Sequence, residues 1–193
     1  SSCNGCTDSL ALNYDSLATV DDGSCIYSIN TIYDIVVSSP DHNILEIAID
    51  TCGLSSTLSG SGPLTLFAPT DAAFNSLGPS TLLSLISNLP ELTNLLEHRL
   101  IADSLMSFML SNSQILNTIL GTNIVISIDS TGIYVDSSKI IVSDIICSNG
   151  VVHVIDAVIY NSGCTDPFAD NYNPSANIED SSCIYTSQIK IDS

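Results

Sequence analysis

Apolar residues recur at helical spacing through the first half of the central region, and in its second half they alternate with polar residues. The helical spacing predicts helices over residues 31–37, 44–52, 80–87 and 91–100. Residues 64–68 form a short apolar run typical of a strand, and Thr70 or Asp71 can cap the helix that follows it. The alternation predicts strands over residues 124–128, 133–135, 140–146 and 151–159. The central region is therefore predicted to be a mixed α+β domain.

Two segments on either side of this region are similar to each other. Residues 5–27, GCTDSLALNYDSLATVDDGSCIY, align without a gap with residues 163–185, GCTDPFADNYNPSANIEDSSCIY, and 13 of the 23 positions are identical. A short module has therefore been duplicated around a central domain. The expected organisation is a first repeat (1–27), the central domain (28–161), a second repeat (162–185) and a C-terminal tail or linker (186–193).

The cysteines follow this organisation. Each repeat places two cysteines 19 positions apart, Cys6 with Cys25 and Cys164 with Cys183. A disulfide across each pair would stabilise its loop by roughly 3 kcal/mol, which matters because so short a unit cannot bury enough core to fold alone. No cysteine spacing matches a paired zinc site, so a disulfide framework in an oxidising compartment is expected.

Each repeat also concentrates side-chain oxygens. They belong to Asp8, Asn13, Asp15, Asp21 and Asp22 in the first repeat, and to Asp166, Asn171, Asn173, Glu179 and Asp180 in the second. Calcium binds six to eight oxygens in flexible geometry, and a cation would relieve the repulsion among these groups. The pattern lacks the glycine and the glutamate of an EF-hand loop. Calcium binding is the expected role, and a solvated acidic linker is the alternative.

The charge balance excludes several partners. Lys and Arg total 3 against 21 Asp and Glu, which gives a formal net charge of −18. A nucleic-acid binder needs clustered basic residues, so nucleic acid is rejected. No apolar run approaches the roughly 18–20 residues that span a bilayer, so no membrane insertion is expected.

Two motifs in the central region resemble a known family. TLFAPTDAAF (residues 65–74) and NGVVHVIDAVI (residues 149–159) resemble the two signatures of the fasciclin domain. The resemblance covers residues 30–160. It implies a β-sandwich or wedge packed by helices, and a non-catalytic role in adhesion to cell-surface, matrix or carbohydrate ligands.

The flanking repeats have a resemblance of their own. They resemble GCTDxxAxNYxxxAxxDDGSC repeats of secreted surface proteins of marine bacteria and, more loosely, the calcium repeats of thrombospondin type 3. This resemblance implies calcium binding, a semi-rigid spacer role and a secreted or cell-surface location.

The resemblance to the fasciclin domain also bears on the roles of single residues. The family often carries a Tyr-His pair between its signatures, whereas this chain has Glu97-His98, so integrin-type recognition is not carried over. His98 is expected to be a structural hydrogen-bonding residue. Asp71 and Asp156 lie in the signatures, where a helix cap and a strand-end hydrogen bond explain them. No nucleophile, zinc or phosphate-loop motif is present, so no enzyme is predicted.

Three cysteines lie outside the repeat pairs. Cys52 and Cys147 both belong to the central domain, and a disulfide between them is predicted, with two buried free thiols as the alternative. Cys3 is left over, to pair with upstream material, pair with another chain or remain free.

Two functions of different classes remain. The first is an adhesion or carbohydrate-binding domain whose repeats are calcium-stiffened spacers. The second is a structural subunit of a surface fibre or head-to-tail assembly. Related repeats at both ends, Cys3 and the alternating segment Ser187-Gln188-Ile189-Lys190-Ile191 would serve such an assembly through a disulfide or strand addition.

Overall fold

The computed structural model describes residues 3–158, 160, 162–164, 166–173, 176, 178–179 and 181–186, with only the backbone described for residues 162, 178 and 179. The helices of this part of the chain are α1 Ile32–Ser38, α2 Asn43–Thr51, α3 Ser55–Ser59, α4 Asp71–Asn75, α5 Pro79–Ser87 and α6 Leu89–Glu97, with a short 3-10 helix at Ser107–Met109. The strands of the central domain are β3 Leu64–Pro69, β4 Leu100–Ile101, β5 Ile115–Asn117, β6 Asn123–Asp129, β7 Gly132–Val135, β8 Ser138–Cys147 and β9 Gly150–Ile155. The repeats contribute the short strands β1 Asn4–Gly5, β2 Val20–Asp21, β10 Ser162–Gly163 and β11 Ile178–Glu179.

The central domain is built on a seven-stranded sheet in the order β4-β3-β9-β8-β7-β6-β5. β3 and β9 pair in parallel next to the edge strand β4, and all six residues of each strand are buried. Burial on both faces explains why these two segments read as continuous apolar runs rather than as alternating ones.

Two apolar clusters cover the two faces of β3 and β9. The helices pack on one face, where Leu45, Leu66, Leu95 and Val152 belong to one cluster. On the other face Phe67 and Ile155 pack against apolar residues of β6 and β7, which include Ile124, Ile126 and Val135. The sheet therefore folds back on itself, and the predicted α+β fold, a β-sandwich or wedge packed by helices, is confirmed.

Helix starts follow local capping chemistry, with one departure from expectation. Thr70 caps α4, since its hydroxyl accepts a hydrogen bond from Ala73 N–H. Asp41 and Asn43 are residues of the ordinary capping type at the start of α2. That helix instead follows His42 without a local side-chain cap, and the carboxylate of Asp71 accepts the N–H of Ile44 at 2.8 Å. A carboxylate from a neighbouring helix therefore satisfies the first turn of α2.

Two predicted elements end earlier than expected, and one helix was not predicted. The helix predicted over residues 91–100 ends at Glu97, because Leu100–Ile101 pairs with β3 as β4. The strand predicted over residues 151–159 ends at Ile155. Helix α3 was not predicted, and Leu58 is its one buried residue, so its apolar pattern carries little signal.

The predicted Cys52–Cys147 disulfide is wrong, because both residues are free thiols. Cys52, at the end of α2, is hydrogen-bonded to Thr93 of α6. Cys147 ends β8, and its thiol donates to the carbonyl of Ile145. Both side chains pack against the same helix-side apolar cluster, but at positions that do not join their sulfur atoms. The thiol of Cys3 is free and exposed.

None of the helices in the described part of the chain is long and apolar enough to cross a membrane.

Candidate binding site

The two repeats have the same framework. The structure contains the disulfides Cys6–Cys25 and Cys164–Cys183. In the first repeat β1 and β2 pair in parallel with Gly5 opposite Asp21, and in the second β10 and β11 pair in parallel with Gly163 opposite Glu179. Since these positions are equivalent in the alignment, the duplicated sequence folds in the same register in both copies.

Asp8 and Asn13 tie the ends of the first repeat together. The carboxylate of Asp8 accepts the N–H of Leu10 at 2.9 Å and the hydroxyl of Tyr27 at 2.8 Å. The amide of Asn13 accepts the N–H of Ile26 and donates to the carbonyl of Ser24, both at 2.7 Å. We call these four hydrogen bonds the clasp. The hydrogen bonds from Leu10 N–H and the Tyr27 hydroxyl lower the pKa of Asp8, so the carboxylate is held in its charged form.

The second repeat has the same clasp. Asp166 accepts from Phe168 N–H and from the hydroxyl of Tyr185. Asn171 accepts from Ile184 N–H and donates to the carbonyl of Ser182. Each of these contacts is equivalent to one in the first repeat. Both oxygens of Asp8 and of Asp166 are therefore engaged in holding the loop closed, which sequence reasoning did not foresee.

The other predicted calcium ligands are less committed. Asp15, Asp21 and Asp22 each use one carboxylate oxygen to accept a backbone N–H two residues ahead. This leaves each of them a second oxygen for a cation. Among the described residues, no three His, Cys, Asp or Glu side chains form a group that could hold a metal ion. In the second repeat, Asn173 occupies the position of Asp15, and its N–H donates to Cys164 as that of Asp15 does to Cys6. Asp180 and the side chain of Glu179 lie outside the described residues.

The tight turn of the repeats tolerates a side chain. Gly23 has a φ of +76°, and the equivalent Ser181 has a φ of 62°. Serine replaces glycine in the second copy, yet both copies use the left-handed conformation there.

A cleft of about 450 Å³ separates the first repeat from the central domain. The repeat contributes Leu10 and the Asp8–Tyr27 pair of the clasp, and the domain contributes Pro63, Ser104 and residues 147–150. Hydroxyl, amide and carboxylate groups therefore face a partly apolar wall, an arrangement suited to a polar ligand with an apolar face.

On the domain side of this cleft, Asn149 of the second signature holds several elements together. Its buried side-chain amide accepts the N–H of Ile32 and donates to the carbonyls of Leu58 and Gly60. Its own carbonyl accepts from Leu64. One residue therefore joins α1, α3, β3 and the β8–β9 turn. The sequence places Asn149 at the start of the second signature, but no local pattern indicates these contacts.

The histidines of the domain are engaged in structure. His98 is buried and bonds Thr122 through Nδ1, with Asp136 3.8 Å from its Nε2. In His153, Nδ1 accepts the N–H of Asp144 and Nε2 bonds the carbonyl of Leu105 at 2.7 Å, which fixes the neutral tautomer. Burial lowers the pKa of His153. A ring with both nitrogens committed is poorly placed to move protons.

Asp156 and Asp71 also have structural roles. Asp156 accepts the N–H of Lys139 at 2.8 Å at the end of β9. Burial raises the pKa of Asp71, but hydrogen bonds from Asn43 and from the N–H of Ile44 outweigh it and leave the pKa below its ordinary value. The polar residues of both signatures therefore hold elements together.

Known proteins similar to this chain share its central domain. The uncharacterized protein sll1735 of Synechocystis sp. (strain ATCC 27184 / PCC 6803 / Kazusa) is 36% identical over 129 residues, which cover 66% of this chain and 96% of that protein. Transforming growth factor-beta-induced protein ig-h3 of Sus scrofa is 30% identical over 129 residues, covering 67% of this chain and 19% of that protein. Periostin of Homo sapiens is 28% identical over 130 residues, covering 67% of this chain and 16% of that protein.

A solved structure supports the fold. The FAS1 domain pair from the insect cell adhesion molecule Fasciclin I matches with a TM-score of 0.63 at 18% identity, over 76% of this chain and 57% of that chain. The sequence profile of the fasciclin domain matches residues 40–161. The chain therefore belongs to the fasciclin domain family.

Proposed function

We propose that this chain is a non-catalytic, extracellular adhesion or binding module. The observation that carries the proposal is the fasciclin match over residues 40–161, on a fold similar to that of an insect cell adhesion molecule. The two disulfide-closed repeats support an extracellular location, since such bonds persist in oxidising compartments.

The cleft beside the first repeat is the proposed ligand site, and a carbohydrate of a cell surface or matrix is the proposed ligand. Binding sites occur preferentially where two modules meet, and this cleft is walled by both. The hydroxyls of Ser28 and Ser104 suit sugar hydroxyls, and the half-exposed ring of Tyr27 supplies an apolar face.

A glycan array probed with the whole chain tests this site. Ser104→Glu should abolish binding, because it places a bulky charged group in the cleft. Ser127→Glu, the same change at an exposed position of β6, should leave binding unchanged. Glycan binding that is equal in both variants would contradict the location, and no binding to any surface glycan or matrix protein would contradict the function.

We also propose that the repeats bind calcium. The carboxylates of Asp15, Asp21 and Asp22 support it, since each has one oxygen outside the turn hydrogen bonds. Asp8 and Asn13, which were also predicted as ligands, form the hydrogen bonds of the clasp. The amide exchange of the first repeat should slow when calcium replaces a chelator, and Asp15→Asn with Asp21→Asn should remove that effect. Identical exchange with and without calcium would refute the metal and leave the spacer role intact.

A further inference from the structure

An apolar groove lies on the helical face of the sheet, between α1 and β8. Its volume is about 390 Å³. Ala68, Val152 and Val154 form its floor, Ile35 lies on the side of α1, and Ile141 and Val142 lie on the side of β8. The helices that cover the rest of this face leave the groove open.

β8 also has an open edge beside the groove. It pairs with β7 only through Ser138 and Lys139, and the rest of the strand pairs only with β9 among the described strands. Ile141 and Val142 are 50% and 48% exposed on this stretch. The register with β9 shifts on both sides of Val142, and these irregularities bring both side chains to the groove. Exposed edges are usually protected by a charge, a proline or a bulge. This stretch has Asp144, which accepts the N–H of Ser107, and the two register shifts, but it still exposes two β-branched apolar side chains.

The segment 187–191 has the pattern that such an edge accepts. These residues lie outside the described part of the chain, and their sequence is Ser-Gln-Ile-Lys-Ile. In an extended conformation Ile189 and Ile191 point to one side and Lys190 to the other. When the two isoleucines face the groove, Lys190 points away from it, so the apolar lining receives only apolar side chains.

We propose that the segment 187–191 of a second copy adds to the open edge of β8 and places Ile189 and Ile191 in the groove. Backbone hydrogen bonds to β8 supply affinity, and the two apolar side chains supply specificity. The contact joins different surfaces of the two copies, so it propagates head to tail. This inference is independent of the ligand proposed for the cleft.

The contact has a recognisable dependence on salt. Each copy carries a formal charge of −18, so two copies repel each other at low ionic strength. Screening shortens the range of that repulsion, whereas apolar burial persists. Association should therefore strengthen as salt is added, opposite to an interface held by ion pairs.

Sedimentation velocity of the 193-residue chain tests the proposal. The wild-type chain should associate with rising concentration. Ile189→Asp with Ile191→Asp should weaken association about tenfold or more, and Val142→Asp or Ile141→Asp should do the same. Ile115→Asp, at an exposed position of the edge strand β5, is the matched control and should associate like the wild type. Circular dichroism verifies that each variant is folded.

Complementation and a peptide locate the contact. The tail variant keeps its groove and Val142→Asp keeps its tail, so a mixture of the two should form dimers but nothing larger. The synthetic peptide of residues 186–193 should bind the tail variant and fail to bind a chain that carries Val142→Asp. Peptide binding that survives both Val142→Asp and Ile141→Asp would overturn the site. A wild-type chain that stays monomeric at high concentration and high salt would overturn the second copy as the occupant, even if the peptide binds.

Discussion

Asn149 is the residue on which the central domain depends most through polar contacts. Its buried amide serves one N–H group of α1 and two carbonyl groups at the end of α3. Asn149→Ala would leave these groups without partners, at about 1–3 kcal/mol for each buried group that cannot reach water. We expect a loss of about 3–5 kcal/mol in the free energy of unfolding, measured by urea denaturation. Asn117→Ala, at an exposed position of β5, should change it by less than about 0.5 kcal/mol.

Gly23 and Gly150 both have positive φ angles but differ in the space around them. A Cβ at Gly23 would meet nothing within 4 Å, whereas a Cβ at Gly150 would lie 1.8 Å from the carbonyl oxygen of Leu64. Since Ser181 occupies the equivalent turn at a φ of 62°, Gly23→Ser should cost about 1 kcal/mol, confined to the first repeat. Hydrogen exchange of the repeat amides measures it. Gly150→Ser should prevent folding, and if it folds normally the close approach of β3 and β9 is misassigned.

The functional residues of the repeats could be located in the sequence, but their roles could not be assigned from it. Asp8 and Asn13 stand out because acidic and amide residues recur at matched positions, and composition alone favours a cation there. Their partners are the hydroxyl of Tyr27 and backbone groups of residues 10, 24 and 26. Folding of the loop brings these groups together, so the pattern cannot separate a clasp from a metal site.

At the scale of elements, the start of α2 depends on a residue from another helix. Asp71 accepts the N–H of Ile44 and the side-chain amide of Asn43, and its negative charge lies at the positive end of the helix dipole. Asp71→Ala should lower the free energy of unfolding by about 1–2 kcal/mol. Asp71→Asn, which keeps an acceptor but loses the charge, should lie between Ala and the wild type. Equal losses for both variants would show that the charge carries the whole effect.

Elements with strong periodicity were predictable, and those fixed by tertiary contacts were not. Helices α1 and α2 and strands β3 and β6 lie within a few residues of their predicted bounds, because their apolar spacing is set by the face they bury. The end of α6 was missed because the segment continues in an apolar pattern. Pairing of Leu100–Ile101 with β3 interrupts the helix there, and no local residue signals it.

At the scale of the whole molecule, buried neutral histidines couple stability to pH. Burial lowers the pKa values of His42 and His153 below the ordinary 6.5. The unfolded chain therefore binds protons first as pH falls, and stability present above about pH 6.5 is lost below it. The urea midpoint should fall between about pH 7.5 and about pH 5.

A variant isolates the histidine contribution to this loss. His153→Gln should be less stable than the wild type at neutral pH, and its stability should vary less over the same range. The carboxylates with lowered pKa values, such as Asp71, contribute above about pH 3.8 and add their own loss only when pH falls through the folded pKa. A pH dependence unchanged in His153→Gln would assign the effect to other groups.

The free thiol of Cys147, at the end of β8, can report how often the domain opens. Burial raises the pKa of Cys147 to about 12, so the folded protein offers a labelling reagent almost no thiolate at that position. Cys3, by contrast, is exposed and should react at once. The rate at which Cys147 is labelled, followed by mass spectrometry, therefore measures how often the core opens. A ligand that binds the cleft should slow the labelling of Cys147, so the labelling rate measures how far the cleft is occupied.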